Sequence, residues 1–241
     1  MRTKLVALGC TVAGSLGVLA LPPAAAGAAS LPKAAIIITS AASYAYGTRV
    51  SFTVTLKARL PGASVSVYAT PAGGKRILLT TSKVDSAGRL YPHYQVTRNT
   101  TFSTVFAGDA KDAANAASRT VTVPAQVTDA LTGYHRTTTI GGVSYRVYRG
   151  GNNLTLKATV RPGKPGECIE PETEQYDSGA GWDADNKYGC DQLDRQSHDA
   201  APFSLRQAVG DRYRIRADYL RGSDTANLSA SSPWLYFEVN P

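Results

Sequence analysis

The chain has 241 residues, 43% of them hydrophobic, and 26 basic residues against 18 acidic ones give a formal net charge of +8. That length divides into two units of about a hundred residues, each large enough to bury its own core. Only three histidines are present, His93, His135 and His198, none beside a serine or cysteine in a nucleophile motif, so catalysis lacks its usual parts. The positive charge does not point to nucleic acid either, because it is spread thinly through many turns.

In chain order, Arg2 and Lys4 precede an almost unbroken apolar run from Leu5 to Leu21, then Pro22-Pro23 and the small residues Ala26-Gly27-Ala28. This order predicts a cleaved signal peptide over 1–28 and an extracellular mature chain, released or held at the cell surface. Cys10 falls inside the discarded segment, and no later apolar stretch is long enough for a membrane span.

The clearest strand is Val50 to Ala58, where Val50, Phe52, Val54 and Leu56 alternate with Ser51, Thr53, Thr55 and Lys57, so one face is buried and the other wet. Short runs follow at 64–70, 75–81, 90–96, 101–107 and 118–123, with 36–39 ahead of them. Turn residues stand between them, as in Asp85-Ser86-Ala87-Gly88. Seven short strands with a turn about every ten residues are what a Greek-key sandwich requires. Pro124 ends the pattern, so 124–136 reads as a linker. Strands resume at 137–140, 144–148, 154–160, 203–208, 213–219 and 234–239, around an acidic loop. No stretch carries the three-and-four spacing of a long helix.

The two halves echo each other. Val54-Thr55-Leu56-Lys57-Ala58 returns as Leu154-Thr155-Leu156-Lys157-Ala158, and Ala114-Asn115-Ala116 as Ala226-Asn227-Leu228. The spacing between copies grows by roughly a dozen residues from the first echo to the second, which places an insertion in the later copy. In the first half, "YAYGTRVSFTVTLKARL", "VSVYATPAGG", "DSAGRLYPHYQVTRNTTF" and "VFAGDA" together resemble the bacterial immunoglobulin-like repeat modules of secreted actinobacterial proteins. The second half is similar at the echoes and in "YRIRADY". The resemblance implies an all-β fold of two tandem immunoglobulin-like Greek-key β-sandwiches, one over 33–123 and a diverged one over 137–241. It implies adhesive, spacer or ligand-binding work outside the cell, with no catalytic residues to carry over and no cofactor.

Once the signal is removed, two cysteines remain in an exported chain, which predicts a Cys168–Cys190 disulfide; two cysteines without a nearby pair of histidines cannot close a zinc site. Residues 167–199 hold ten acids against Lys187 and Arg195. Within them Asp183, Asp185 and Asn186 begin like a calcium loop, although Lys187 fills a ligand position and Asp194 stands where a glutamate belongs; the alternative is a solvated acidic loop, or one folded on basic strands. Period-two alternation in Arg212-Tyr213-Arg214-Ile215-Arg216 places three guanidinium groups on one face. They could bind an anionic polymer or neutralise the acidic insertion. Trp182 is a candidate platform for a sugar ring, or a cover for the disulfide, and Trp234 reads as core or edge packing. The expected function is a secreted, non-enzymatic spacer, adhesion or interaction module; the alternative is a carbohydrate-binding or cell-wall-polymer-binding protein. Expected partners are a cell-wall polymer, a glycan or an extracellular protein.

Overall fold

The computed structural model describes Leu31, Ala34 and residues 36–57, 62–206 and 209–241, except the side chains of Ile37, Ala184 and Asp185. The signal peptide expected over 1–28 lies outside the described residues. All regular elements among the described residues are strands, and no helix there is long and apolar enough to cross a membrane. The strands enclose two hydrophobic cores, one drawn from Ala34 to Val123 and the other from Ala125 to Val239.

The first core is enclosed by β1 (Ile36–Thr39), β2 (Arg49–Ser51), β3 (Thr53–Leu56), β4 (Ser64–Pro71), β5 (Ile77–Lys83), β6 (Arg89–Leu90), β7 (His93–Gln95), β8 (Thr100–Phe106) and β9 (Asn115–Val121). The sheet orders are β1-β3-β6, continued by the pair β2-β7, and β5-β4-β8-β9. After the β4–β5 hairpin the chain crosses to the opposite sheet and returns at β8, the immunoglobulin-like Greek key. Val50, Phe52, Val54 and Leu56 are buried, with Ser51, Thr53 and Thr55 facing outward, as the alternation predicts. The Phe52 and Phe102 rings meet across the sandwich at 4.2 Å.

The second half contains β10 (Gln126–Thr132), β11 (Arg136–Ile140), β12 (Val143–Arg149), β13 (Asn153–Arg161), β14 (Cys168–Asp177), β15 (Gly181–Lys187), β16 (Asp191–Gln192), β17 (His198–Ser204), β18 (Arg212–Leu220), β19 (Ala230–Ser231) and β20 (Leu235–Asn240). One sheet runs β10-β13-β17. The other runs β11-β12-β20-β18-β14-β15, with β16 on β14 and β19 on β18.

Three expectations change here. The segment read as a linker holds β10, whose Val127 and Leu131 enter the core while Asp129, at the inward position between them, breaks the apolar alternation. The acidic stretch is a β-hairpin, β14–β15, built into the larger sheet. The second copy's extra residues also do not form one insertion. Ile36 faces Leu56 as Leu131 faces Leu156, and Val65 faces Phe106 as Ile169 faces Tyr219. Those registers distribute the growth over the β11–β12 hairpin, the β13–β14 connection and the chain between β14 and β18.

A further echo is legible only in three dimensions. Asp85 accepts hydrogen bonds from the N–H groups of Ala87 and Arg89, each 2.8 Å, around Gly88 at φ +75°. Asp194 accepts from Gln196 and His198, also 2.8 Å each, around Ser197 at φ +65°. Serine replaces glycine in this left-handed position, where most side chains are disfavoured. Its buried Oγ accepts the Lys164 N–H at 2.5 Å and so holds the β13–β14 connection.

Asp129 shows what an inward carboxylate costs. It accepts a hydrogen bond from Ser232 at 2.6 Å, yet burial raises its pKa above the usual range, outweighing that bond. A carboxyl whose folded pKa is raised contributes stability below its unfolded pKa and loses it as pH rises through the folded value. Asp129→Asn is therefore expected to gain stability over the parent at pH 7 and little at pH 4, as measured by denaturant midpoints; an equal effect at both pH values would contradict this.

The two halves meet without slack. The N–H of Leu228 donates to Val123 O and that of Ala125 to Leu228 O, each 3.0 Å, on either side of Pro124. Asn99 gives its backbone N–H to Ala226 O at 2.7 Å and its amide to Thr225 O at 2.9 Å. Asn227, fully buried, donates to Thr97 O at 3.0 Å and Val123 O at 3.1 Å. Asn115, its counterpart in the sequence echo, donates to Ala34 O at 2.6 Å. Each asparagine thus pins the chain entering the first strand of its own copy.

Candidate interaction face

The strand alternation of β18 divides its side chains as the sequence predicts. Ile215, Ala217 and Tyr219 are buried in the core and Tyr213 packs against it, while Arg212, Arg214 and Arg216 stand half-buried on the outer face. Antiparallel pairing with β14 sets Arg214 opposite Glu174 and Arg216 opposite Glu172. Arg214 Nε donates to Glu174 at 2.7 Å and Arg216 Nε to Glu172 at 2.8 Å, and a terminal nitrogen of each guanidinium reaches the same carboxylate oxygen. Arg216 also lies 3.2 Å from Asp218. For Arg214 and Arg216 this is the self-neutralising arrangement of the two that the sequence offers.

These carboxylates are unequal. Burial pushes Glu172 upward, but the hydrogen bond and charge of Arg216 outweigh it and leave its pKa below the usual range. Asp218 is raised, first by burial and then by its proximity to Glu172, so the proton goes to Asp218 before Glu172.

Aromatic rings interleave with this ladder. Arg214 lies over both tryptophans, 4.8 Å from the Trp182 ring centre and 4.5 Å from that of Trp234. Arg216 is 4.4 Å above Trp234, and Arg212 is 4.1 Å above Tyr176. Trp182 meets Tyr176 edge-on at 5.2 Å and Tyr236 at 5.6 Å, and Tyr236 meets Tyr145 at 5.5 Å. Tyr145 is buried, which raises its hydroxyl pKa. Partly desolvated cation–π contacts of this kind contribute roughly 0.5–2 kcal/mol each. The rings and cations form one layer across β12, β20, β18, β14 and β15.

The structure therefore brings Trp182, Arg212, Arg214 and Arg216 together on one face. It joins to them Tyr176 and Tyr236, which the sequence reading did not select, and Trp234, which that reading assigned to core or edge packing. The available signal was Glu170, Glu172, Glu174 and Tyr176 at every second position, complementary to arginines at every second position.

The other candidates lie elsewhere. Cys168 and Cys190 are bonded, with Cα atoms 5.3 Å apart, joining the start of β14 to the chain just past β15. Trp182 does not cover that bond; it pairs with Tyr176 near the turn at the hairpin's far end. Asp183 and Asn186 are exposed on β15, opposite Gln175 and Thr173, where an extended backbone does not wrap oxygens around one centre; the Asp185 side chain lies outside the described residues. Among the described residues, no three His, Cys, Asp or Glu side chains are grouped to hold a metal ion.

No family model and no curated protein matches the chain. Solved structures similar to it include a marsupial T cell receptor, at 11% identity and TM-score 0.35 over 85% of this chain and 72% of that one. A tetra-tandem repeat from the extending region of a large adhesion protein has 14% identity and TM-score 0.38 over 84% of this chain, which spans about half of that one, 49%. The D0-D1 domain of intimin has 12% identity and TM-score 0.29 over 84% of this chain and 98% of that one. At such scores nothing about function is carried across, and the fold rests on the strand order above.

Proposed function

We propose that this is an extracellular, non-enzymatic protein whose immunoglobulin-like sandwiches act as spacer and interaction modules, with the outer face of β12-β20-β18-β14-β15 as the contact surface. The observation carrying this reading is the convergence of Trp182, Trp234, Tyr176 and Tyr236 with three arginines on one broad sheet face. Aromatic and arginine side chains are the types that dominate binding energy at protein surfaces. A second reading, carbohydrate binding, draws on the same rings, since aromatic faces stack on the apolar faces of sugars. An anionic polymer is the poorer partner, because Glu172 and Glu174 already neutralise Arg216 and Arg214.

The test is retention of the protein on a panel of immobilised neutral and anionic polysaccharides and on extracellular protein fractions, beside Trp182→Ala and Trp234→Ala. Either substitution is expected to weaken retention at least about tenfold, the equivalent of about 1.4 kcal/mol. Retention on a neutral glycan alone selects the carbohydrate reading. If neither variant differs from the parent on any retained partner, the face is not the contact surface.

A further inference from the structure

The inner sides of the same strands enclose a second site. β17 is the last strand of its sheet, whereas the opposing sheet continues past it to β14 and β15. The two sheets therefore leave an open cleft of about 590 Å³. Its floor is made by core residues, among them Leu154, Leu205, Ile215 and Phe237, all less than 5% exposed. Thr173, Gln175, Ser204 and Asp191 supply polar groups along its walls and rim. Tyr188 stands at the mouth, half-exposed, its ring 4.8 Å from Phe203 on β17 and its hydroxyl 3.3 Å from Thr173 Oγ1 on β14. An apolar floor with few converging polar groups, in a volume of several hundred cubic ångströms, is the usual form of a small-molecule site.

We propose that this cleft binds an apolar chain or ring carrying an amine. The apolar part would replace water over the Leu154, Ile215 and Phe237 floor, and the ammonium would sit at the rim beside Asp191. Charge fixes the sign of the head group: among the described residues the lining contains no lysine, arginine or histidine, and Asp191 is its sole carboxylate. The arginines of β18 stand on the opposite face, where Arg214 and Arg216 are paired with carboxylates and Arg212 lies over the Tyr176 ring. The site is separate from the outer aromatic layer and stands or falls without it.

Decylamine, decanol, decanoate and butylamine serve as probes, titrated below micelle formation and followed by calorimetry. Decylamine is expected to saturate one site and to bind about two- to fivefold tighter than decanol, the value of an exposed ion pair. Decanoate is expected to bind more weakly than decanol, and butylamine not measurably. Asp191→Asn should remove the advantage of amine over alcohol, Ala201→Leu should weaken both by filling the cleft, and Trp182→Ala should change neither. Tyr188→Ala, at an exposed position, probes the mouth if Ala201→Leu does not fold. The absence of saturable binding, decanoate binding as tightly as decylamine, or decylamine affinity lost in Trp182→Ala and kept in Tyr188→Ala would each overturn the proposal.

Discussion

Replacing Cys168 and Cys190 with serine is expected to lower the stability of the protein by about 3 kcal/mol, the loop-entropy value for a bond closing some twenty residues. The pair spans 22 positions. What it closes is a hairpin whose inner side adds little apolar packing. β14 presents mostly polar side chains inward beyond Ile169, and β15 is an edge strand with one neighbour. The bond fixes the end of this hairpin at which β16 adds to β14 through Cys168 and Ile169. Denaturant unfolding with and without reductant measures the effect. Reduction should shift the parent's midpoint to that of the double variant, whereas coincident curves for parent and variant would show the hairpin to be held by its neighbours.

The second large effect is expected at Asn227. Asn227→Ala removes a fully buried amide that donates across the junction to the carbonyls of Thr97, half-buried, and Val123, buried. Val123 O keeps the N–H of Leu228 while Thr97 O loses its amide partner, and each hydrogen bond lost costs about 0.5–1.5 kcal/mol net. A loss of about 2 kcal/mol is therefore expected. Part of it should appear as loosening between the halves: calorimetry should give a broader or divided transition, and the junction amides should exchange faster with solvent. Asn115→Ala, which loses the bond to Ala34 and the one accepted from the adjacent Ala116 N–H, both within the first half, should stay a single transition. If both variants unfold like the parent, the asparagines only fill space.

The first half was legible in the sequence because a complete core lies behind it. The inward positions of β3 and β4 are occupied by residues whose burial shows in their type, and in β8 Phe102 and Phe106 keep the pattern readable although Thr100 and Thr104 are buried between them. β10 was hidden by one residue, Asp129, which occupies an inward site at a cost that Ser232 partly offsets. The β14–β15 hairpin was hidden for a different reason. Its inward positions Pro171, Thr173 and Gln175 face an open cleft instead of a packed core, so the alternation that betrays a strand is absent. The turn at Asp194 carries no glycine signal in the sequence, because serine stands where the first copy has glycine. The arginine row could be read from β18 alone, but its neutralisation by β14 depends on a pairing register that one strand does not specify.

That register has a bearing on how the chain avoids misfolding. A slip of one residue between β18 and β14 would turn all three guanidinium groups inward, against Ile169, Pro171, Thr173 and Gln175, and leave Glu172 and Glu174 without cations outside. The guanidinium nearest Ile169 would enter the closed core, and an unpaired buried charge there costs several kcal/mol, a large share of the stability of an ordinary fold. The ladder of opposite charges thus proofreads strand alignment, in the one sheet whose polar, cleft-facing strand gives hydrophobic matching little to grip.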